Sequence, residues 1–216
     1  MEKSMYSIML MDSVVREIDM MAQAQNTNRS NLINQILAEY VSLVTPEKRI
    51  NEIFNSINNL LSGNIFASYI EPYDCVMSLK SSLDYKYRPT IKYTVELYRN
   101  NLGCVGELKA IFRTQSSDLM YRLSDFFNLW IRMEQIYLRD YLNTAKIEYS
   151  FENGKFCRTF LIPNGKHYSD EVLAKAISDY ISMFDEIIKD YLSNKFNSVR
   201  EIENRYLTYL NSSTII

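Results

Sequence analysis

Hydrolytic and redox chemistry draws on clusters of histidine, cysteine and carboxylates, or on a glycine-rich loop that cradles phosphate. This 216-residue chain offers one histidine, three cysteines and five glycines. It carries no Walker motif, dinucleotide fingerprint or zinc-ligand spacing. His167 lies in the turn IPNGKHYSD and reads as a solvated loop residue. A lone imidazole also argues against a nickel or zinc sensor, whose site needs several His and Cys ligands. Cys75, Cys104 and Cys157 are far apart, odd in number and set in apolar runs, which reads as reduced core residues. No catalytic residue, metal site or cofactor is assigned.

Two other constellations bear on binding. Tyr85, Tyr87, Tyr93 and Tyr98 interleave with Lys86, Arg88, Lys92 and Arg99, a composition that can stack single-stranded nucleic acid. Their alternation sends the tyrosines to one face and the cations to the other, so the reading is a core tyrosine row under a basic wet face. Asp125, Glu134 and Asp140, with Arg122, Arg132 and Arg139, read as the solvent face of one helix, where an arginine three or four residues from an acid, as Arg122 is from Asp125, gives a weak ion pair. Seventeen tyrosines could also line a pocket for a small apolar or planar effector.

The elements that position binding residues are clearest at residues 5 to 43, MYSIMLMDSVVREIDMMAQAQNTNRSNLINQILAEYVSL. Tyr6, Ile8 and Leu10 alternate with Met5, Ser7 and Met9 at the period of two that a strand requires. Val14, Val15, Ile18, Met21 and Ala22 then recur at helical spacing, as do Leu32, Ile33, Ile36, Leu37, Tyr40 and Val41. Between the two helices, Asn26 suits a left-handed helix end and Asn28 suits a helix cap. The second helix is expected to end near Val44, and another to run from Thr45 or Pro46 to Gly63.

This strand, helix, turn and helix resemble the ribbon-helix-helix (MetJ/Arc/CopG-like) DNA-binding family over about the first fifth of the chain. The resemblance implies a homodimer in which two copies pair their strands into an antiparallel ribbon that enters the major groove. It places Met5, Ser7 and Met9 toward base edges and Tyr6, Ile8, Leu10, Ile18, Leu32 and Ile36 in the dimer core. It places Lys3, Asn28, Arg29 and Ser30 near phosphate, the last three where helix amides and dipole favour an anion. Methionine touches a thymine methyl but donates no bidentate hydrogen bond. Residues 1 to 45 hold Lys3, Arg16 and Arg29 against Glu2, Asp12, Glu17, Asp19 and Glu39, a mildly acidic balance.

At 47% hydrophobic and 23% charged, the chain has room for two compact units, expected at 1–45 and 46–216. Its longest apolar runs are broken by charge and MEKSMYSIML lacks a signal-peptide core, so the expectation is a cytoplasmic protein with no membrane contact. Alternation from residue 75 predicts a three-stranded antiparallel meander, followed by a helix opening at Ser116 or Ser117 and reaching Tyr141. A hairpin at 145–162 turns on Asn153-Gly154 and sets Phe151 opposite Phe156 and Ile147 opposite Phe160. A long helix spans about 169–196, and a last one starts at Ser198 in a capping box with Glu201.

The expected fold class is α+β: a ribbon-helix-helix dimerisation module followed by an antiparallel five-stranded sheet with helices packed on one face. Phe126, Trp130, Ile177, Tyr180 and Phe184 are expected at the centre of the second unit. The expected function is a dimeric DNA-binding transcriptional regulator and not an enzyme, with itself and double-stranded DNA as partners. The second unit would sense a small-molecule effector or oligomerise. The globular remainder suits a regulator better than a short antitoxin. The alternative is an adaptor or assembly protein that dimerises through the same ribbon without binding DNA.

Overall fold

Short polar residues end several helices of this chain. In the computed structural model, which describes residues 5–61, 66–71, 75–83, 89–99, 103–142 and 146–216, helix α1 spans Asp12–Ala24 and α2 spans Arg29–Tyr40. Asn26 takes the left-handed conformation (φ 52°), and the Thr27 amide then reaches back to the Ala22 carbonyl at 2.8 Å. Asn28 caps α2, its Oδ1 accepting from the Asn31 amide at 2.9 Å. Ser42 repeats the left-handed ending (φ 56°), with the Leu43 amide on the Ala38 carbonyl at 2.8 Å. This device stops α2 at Tyr40, earlier than the expected end near Val44.

The chain forms two compact units, Met1–Pro46 and Glu47–Ile216. In the first, Ile18, Ala22 and Leu32 make a small core against which Val14 and Ile33 pack. No described strand pairs with residues 5–10, which lead in exposed toward the extended Met11 (φ −65°, ψ 141°).

The second unit is α+β. Helix α3 runs Pro46–Leu61 and buries Ile50, Ile53, Phe54, Ile57 and Leu61, while Leu60 of the expected stripe is exposed. A six-stranded antiparallel sheet follows, formed by β1 (Ala67–Glu71), β2 (Val76–Ser82), β3 (Thr90–Leu97), β4 (Cys104–Phe112), β5 (Tyr149–Glu152) and β6 (Lys155–Leu161). Their order is β1-β2-β3-β4-β6-β5. The expected five strands are thus corrected to six: β1 adds an edge beside β2, Ala67 facing Lys80 and Glu71 facing Val76.

The remaining helices are α4 (Ser117–Tyr137), the single turn α5 (Arg139–Leu142), α6 (Asp170–Leu192) and α7 (Val199–Ser212). The helix expected to reach Tyr141 breaks at Leu138, and Tyr141 is exposed. Likewise α6 stops at Leu192, short of Phe196, where Asn194 (φ 55°) lets the Lys195 amide bond the Asp190 carbonyl at 2.9 Å. The capping box at Ser198 is also corrected. Ser198 precedes α7 without a side-chain cap bond, and Glu201 accepts instead from the Asn197 amide at 3.1 Å.

The hairpin turn forms as expected, with Asn153 at φ 50°, Gly154 at φ 73° and Phe151 opposite Phe156. Alternation buries Ile91, Tyr93, Val95 and Leu97 of β3 on one side and leaves Lys92, Thr94 and Glu96 half-buried on the other. Over the buried side, Phe184 of α6 stacks on Phe156 at 5.6 Å and meets Trp130 of α4 edge-on at 5.1 Å. Phe126, Trp130, Ile177, Tyr180 and Phe184 are all fully buried, as expected. The cysteines are free, but only Cys75 is buried, while Cys104 and Cys157 are half-buried rather than core.

Candidate nucleic-acid interface

An amphipathic segment alone cannot hide both its apolar rows, and the first unit leaves several apolar side chains in water. Met5 and Met9 are fully exposed, and Ser7 lies between them, also exposed. The alternate row, Tyr6, Ile8 and Leu10, is exposed too, Tyr6 to 85% and Ile8 to 59%. The residues assigned to a dimer core therefore divide. Ile18 and Leu32 are buried within the chain itself, whereas Tyr6, Ile8, Leu10 and Ile36 are not.

The residues assigned to phosphate converge on the start of α2, apart from Lys3, which lies outside the described residues. The Asn28 side chain is occupied as the helix cap. The first-turn amides of Arg29 and Ser30 have no acceptor within the helix, and the Ser30 side chain is exposed. Arg29 does not stand free. Its Nε donates to Asp19 Oδ1 at 2.7 Å and its Nη2 to Asp19 Oδ2 at 2.5 Å, a two-pronged bond between α2 and α1. The Arg29 hydrogen bonds hold the Asp19 carboxyl below the usual carboxylate range, and the same bonds raise the arginine.

Charges in the second unit are placed differently from the sequence expectation. Glu134, expected on the solvent face of α4, is fully buried and accepts from Arg158 Nε at 2.8 Å. Its surroundings are aromatic: the Arg158 guanidinium lies 4.3 Å from the Tyr180 ring centroid, and Tyr206 donates to Glu134 at 3.4 Å. Asp185 of α6 is likewise buried, accepting from Tyr93 at 2.9 Å and Ser81 at 3.1 Å and pairing with Lys189 at 2.6 Å. Both clusters are interior staples rather than clefts open to substrate. Sequence reading missed Arg158, Asp185 and Ser81, each of which occupies an inward position of its strand or helix.

Of the tyrosine and cation row, Tyr93 is buried and Lys92 points to the opposite face, so that stretch supplies no stacking platform. Tyr85, Lys86, Tyr87 and Arg88 lie outside the described residues. His167 is exposed. An open cleft of about 380 Å³ runs beside α4, with Leu129, Met133, Ile136 and Tyr137 facing Val199 and Glu203 of α7. Among the described residues no group of three or more His, Cys, Asp or Glu could hold a metal ion, and no helix is long and apolar enough to cross a membrane. Compared with known protein families, curated proteins and solved structures, the chain matches none.

Proposed function

We propose that this chain is a dimeric ribbon-helix-helix DNA-binding transcriptional regulator, formed by antiparallel pairing of residues 5–10 from two copies. One observation carries the reading. Tyr6, Ile8, Leu10 and Ile36 are exposed beside a protomer core of Ile18, Ala22 and Leu32, too little burial for a unit of this size to be stable alone. A second copy laid across the same row would cover both sets and supply the strand partner that residues 5–10 lack. Met5, Ser7 and Met9 then form the outer ribbon face, while Arg29 and Ser30 flank it at the start of α2.

The second unit takes the effector or oligomerisation role, and the apolar cleft beside α4 is of a size that small ligands occupy, roughly 300–1,000 Å³. The adaptor reading is favoured by one feature, the Arg29 guanidinium already occupied by Asp19. Selection of binding sites from a random duplex pool by the purified full chain, with its mass measured by light scattering, separates the two. An enriched site bound by a dimer supports the regulator. A dimer with no enriched site and no duplex binding at low salt supports the adaptor.

A further inference from the structure

We propose that Asp19 is an intramolecular competitor for phosphate at Arg29, a residue that lowers and levels the protein's hold on nucleic acid. This inference rests on the DNA-binding reading above. The geometry behind it is the two-pronged bond, Nε to Oδ1 at 2.7 Å and Nη2 to Oδ2 at 2.5 Å. A carboxylate and a phosphate present the same pair of oxygens to a guanidinium fork, so an arginine satisfied by one must release it to take the other in full. Both side chains are about half exposed, 52% for Arg29 and 46% for Asp19, so an incoming anion meets the pair without displacing any core residue.

The competition has a second part. Once Arg29 moves to phosphate, Asp19 stays behind as a bare anion close to the duplex. It attracts a cation and cancels part of the counterion release that drives association. The salt dependence of binding is therefore shallower than the number of basic contacts implies. Because phosphate contacts are blind to sequence, the penalty falls on every duplex alike and leaves discrimination to the ribbon. Glu17 provides the comparison, an exposed carboxylate on the same helix that forms no ion pair with Arg29.

The test measures binding of the full-length chain to one duplex of random sequence and one selected duplex by fluorescence anisotropy, over a series of salt concentrations. Asp19→Asn should tighten binding to both duplexes about threefold to tenfold at low salt and steepen the logarithmic salt slope by about one. Glu17→Gln, which removes the same charge elsewhere, should change affinity by less than about twofold and leave the slope in place. Circular dichroism and light scattering confirm that each variant keeps fold and mass, and Asp19→Ser replaces D19N if that variant folds poorly. Equal gains from D19N and E17Q, or an unchanged D19N beside a weakened R29A, would overturn the competitor role while leaving DNA binding intact. Absence of binding to either duplex by wild type and D19N at low salt would overturn the DNA-binding reading, and this role with it.

Discussion

Arg158 of β6 and Glu134 of α4 form an ion pair sealed inside the second unit, Nε to Oε2 at 2.8 Å, with side chains 1% and 0% exposed. Arg158 also donates through Nη2 to the main-chain oxygen of Ile216 at 2.6 Å, so the same guanidinium holds the 213–216 segment to the sheet. Burial works against the arginine's charge, and the neighbouring Glu134 carboxylate outweighs it, lifting the guanidinium above its ordinary range. Removing one partner strands the other. Glu134→Leu is therefore expected to cost about 3–5 kcal/mol, while the double variant Glu134→Leu, Arg158→Met should recover much of that loss. Urea midpoints at unchanged slope measure both, and a double variant no more stable than the single one would contradict the pairing.

Alkaline pH gives a second expectation. Burial first, aided by Asp185 at Tyr93 and by Glu134 at Tyr149, Tyr180 and Tyr206, pushes these phenols above their ordinary range. A raised folded-state value means that the fold favours the neutral phenol. The associated stability is complete below the unfolded value of about 10 and is lost as pH rises beyond it, by up to about 1.4 kcal/mol per unit and per tyrosine. Phenolate absorbance and circular dichroism followed together should show one steep joint transition above pH ~10. Ionisation of the buried tyrosines with unchanged ellipticity would contradict this.

Gly106 sits where the β4–β6 register shifts, between Cys104 and Gly106. A Cβ there would fall 2.2 Å from the Glu96 carbonyl oxygen and 3.0 Å from Leu97 Cδ2. The nearest obstacle is backbone of a central strand and cannot swing aside. Gly106→Ala should therefore cost about 1–3 kcal/mol or more, the range of overpacked cores, read as a lowered thermal midpoint. A wild-type midpoint would mean that the β3–β4 contact is looser than this.

The elements that local chemistry controls were legible in the sequence. Asn26 and Asn28 mark the α1–α2 turn, Asn153-Gly154 fixes the hairpin register, and the aromatic stripe of α4 announces the core. What escaped depends on partners distant in the chain. Glu134 follows Leu123, Phe127 and Trp130 at helical spacing, and Arg158 sits between Phe156 and Phe160 at inward parity. Position alone therefore buried both, but residue type argued for solvent, and nothing local joins two residues 24 apart. Ser81 and Asp185, separated by 104 residues, were hidden in the same way. The strand β1 is five residues at an edge, too short to display a period. In the candidate interface, apolarity marked Tyr6, Ile8 and Ile18 alike, and only packing distinguishes the residue buried within the chain from those left exposed. The Asp19 grip on Arg29 spans ten residues and two helices, so no cap or i, i+4 rule announces it.

The exposed row Tyr6, Ile8 and Leu10 leads to the last prediction. If two copies pair through residues 5–10, each strand donates main-chain hydrogens to the other, and proline at Ile8 removes one donor and fixes a backbone angle poorly suited to the ladder. The Ile8→Pro chain should lose the dimer mass in light scattering, and α1 and α2, with only Ile18, Ala22, Leu32 and Ala38 buried, should lose helicity. The second unit, which carries its own core, should keep its near-ultraviolet signal from Trp130. Ile8→Val serves as the control, because it keeps the donor and the strand preference while trimming one methylene, and should stay dimeric. A proline variant with native mass and full helical content would show that residues 5–10 do not pair between copies, and the exposed row would then need a different cover.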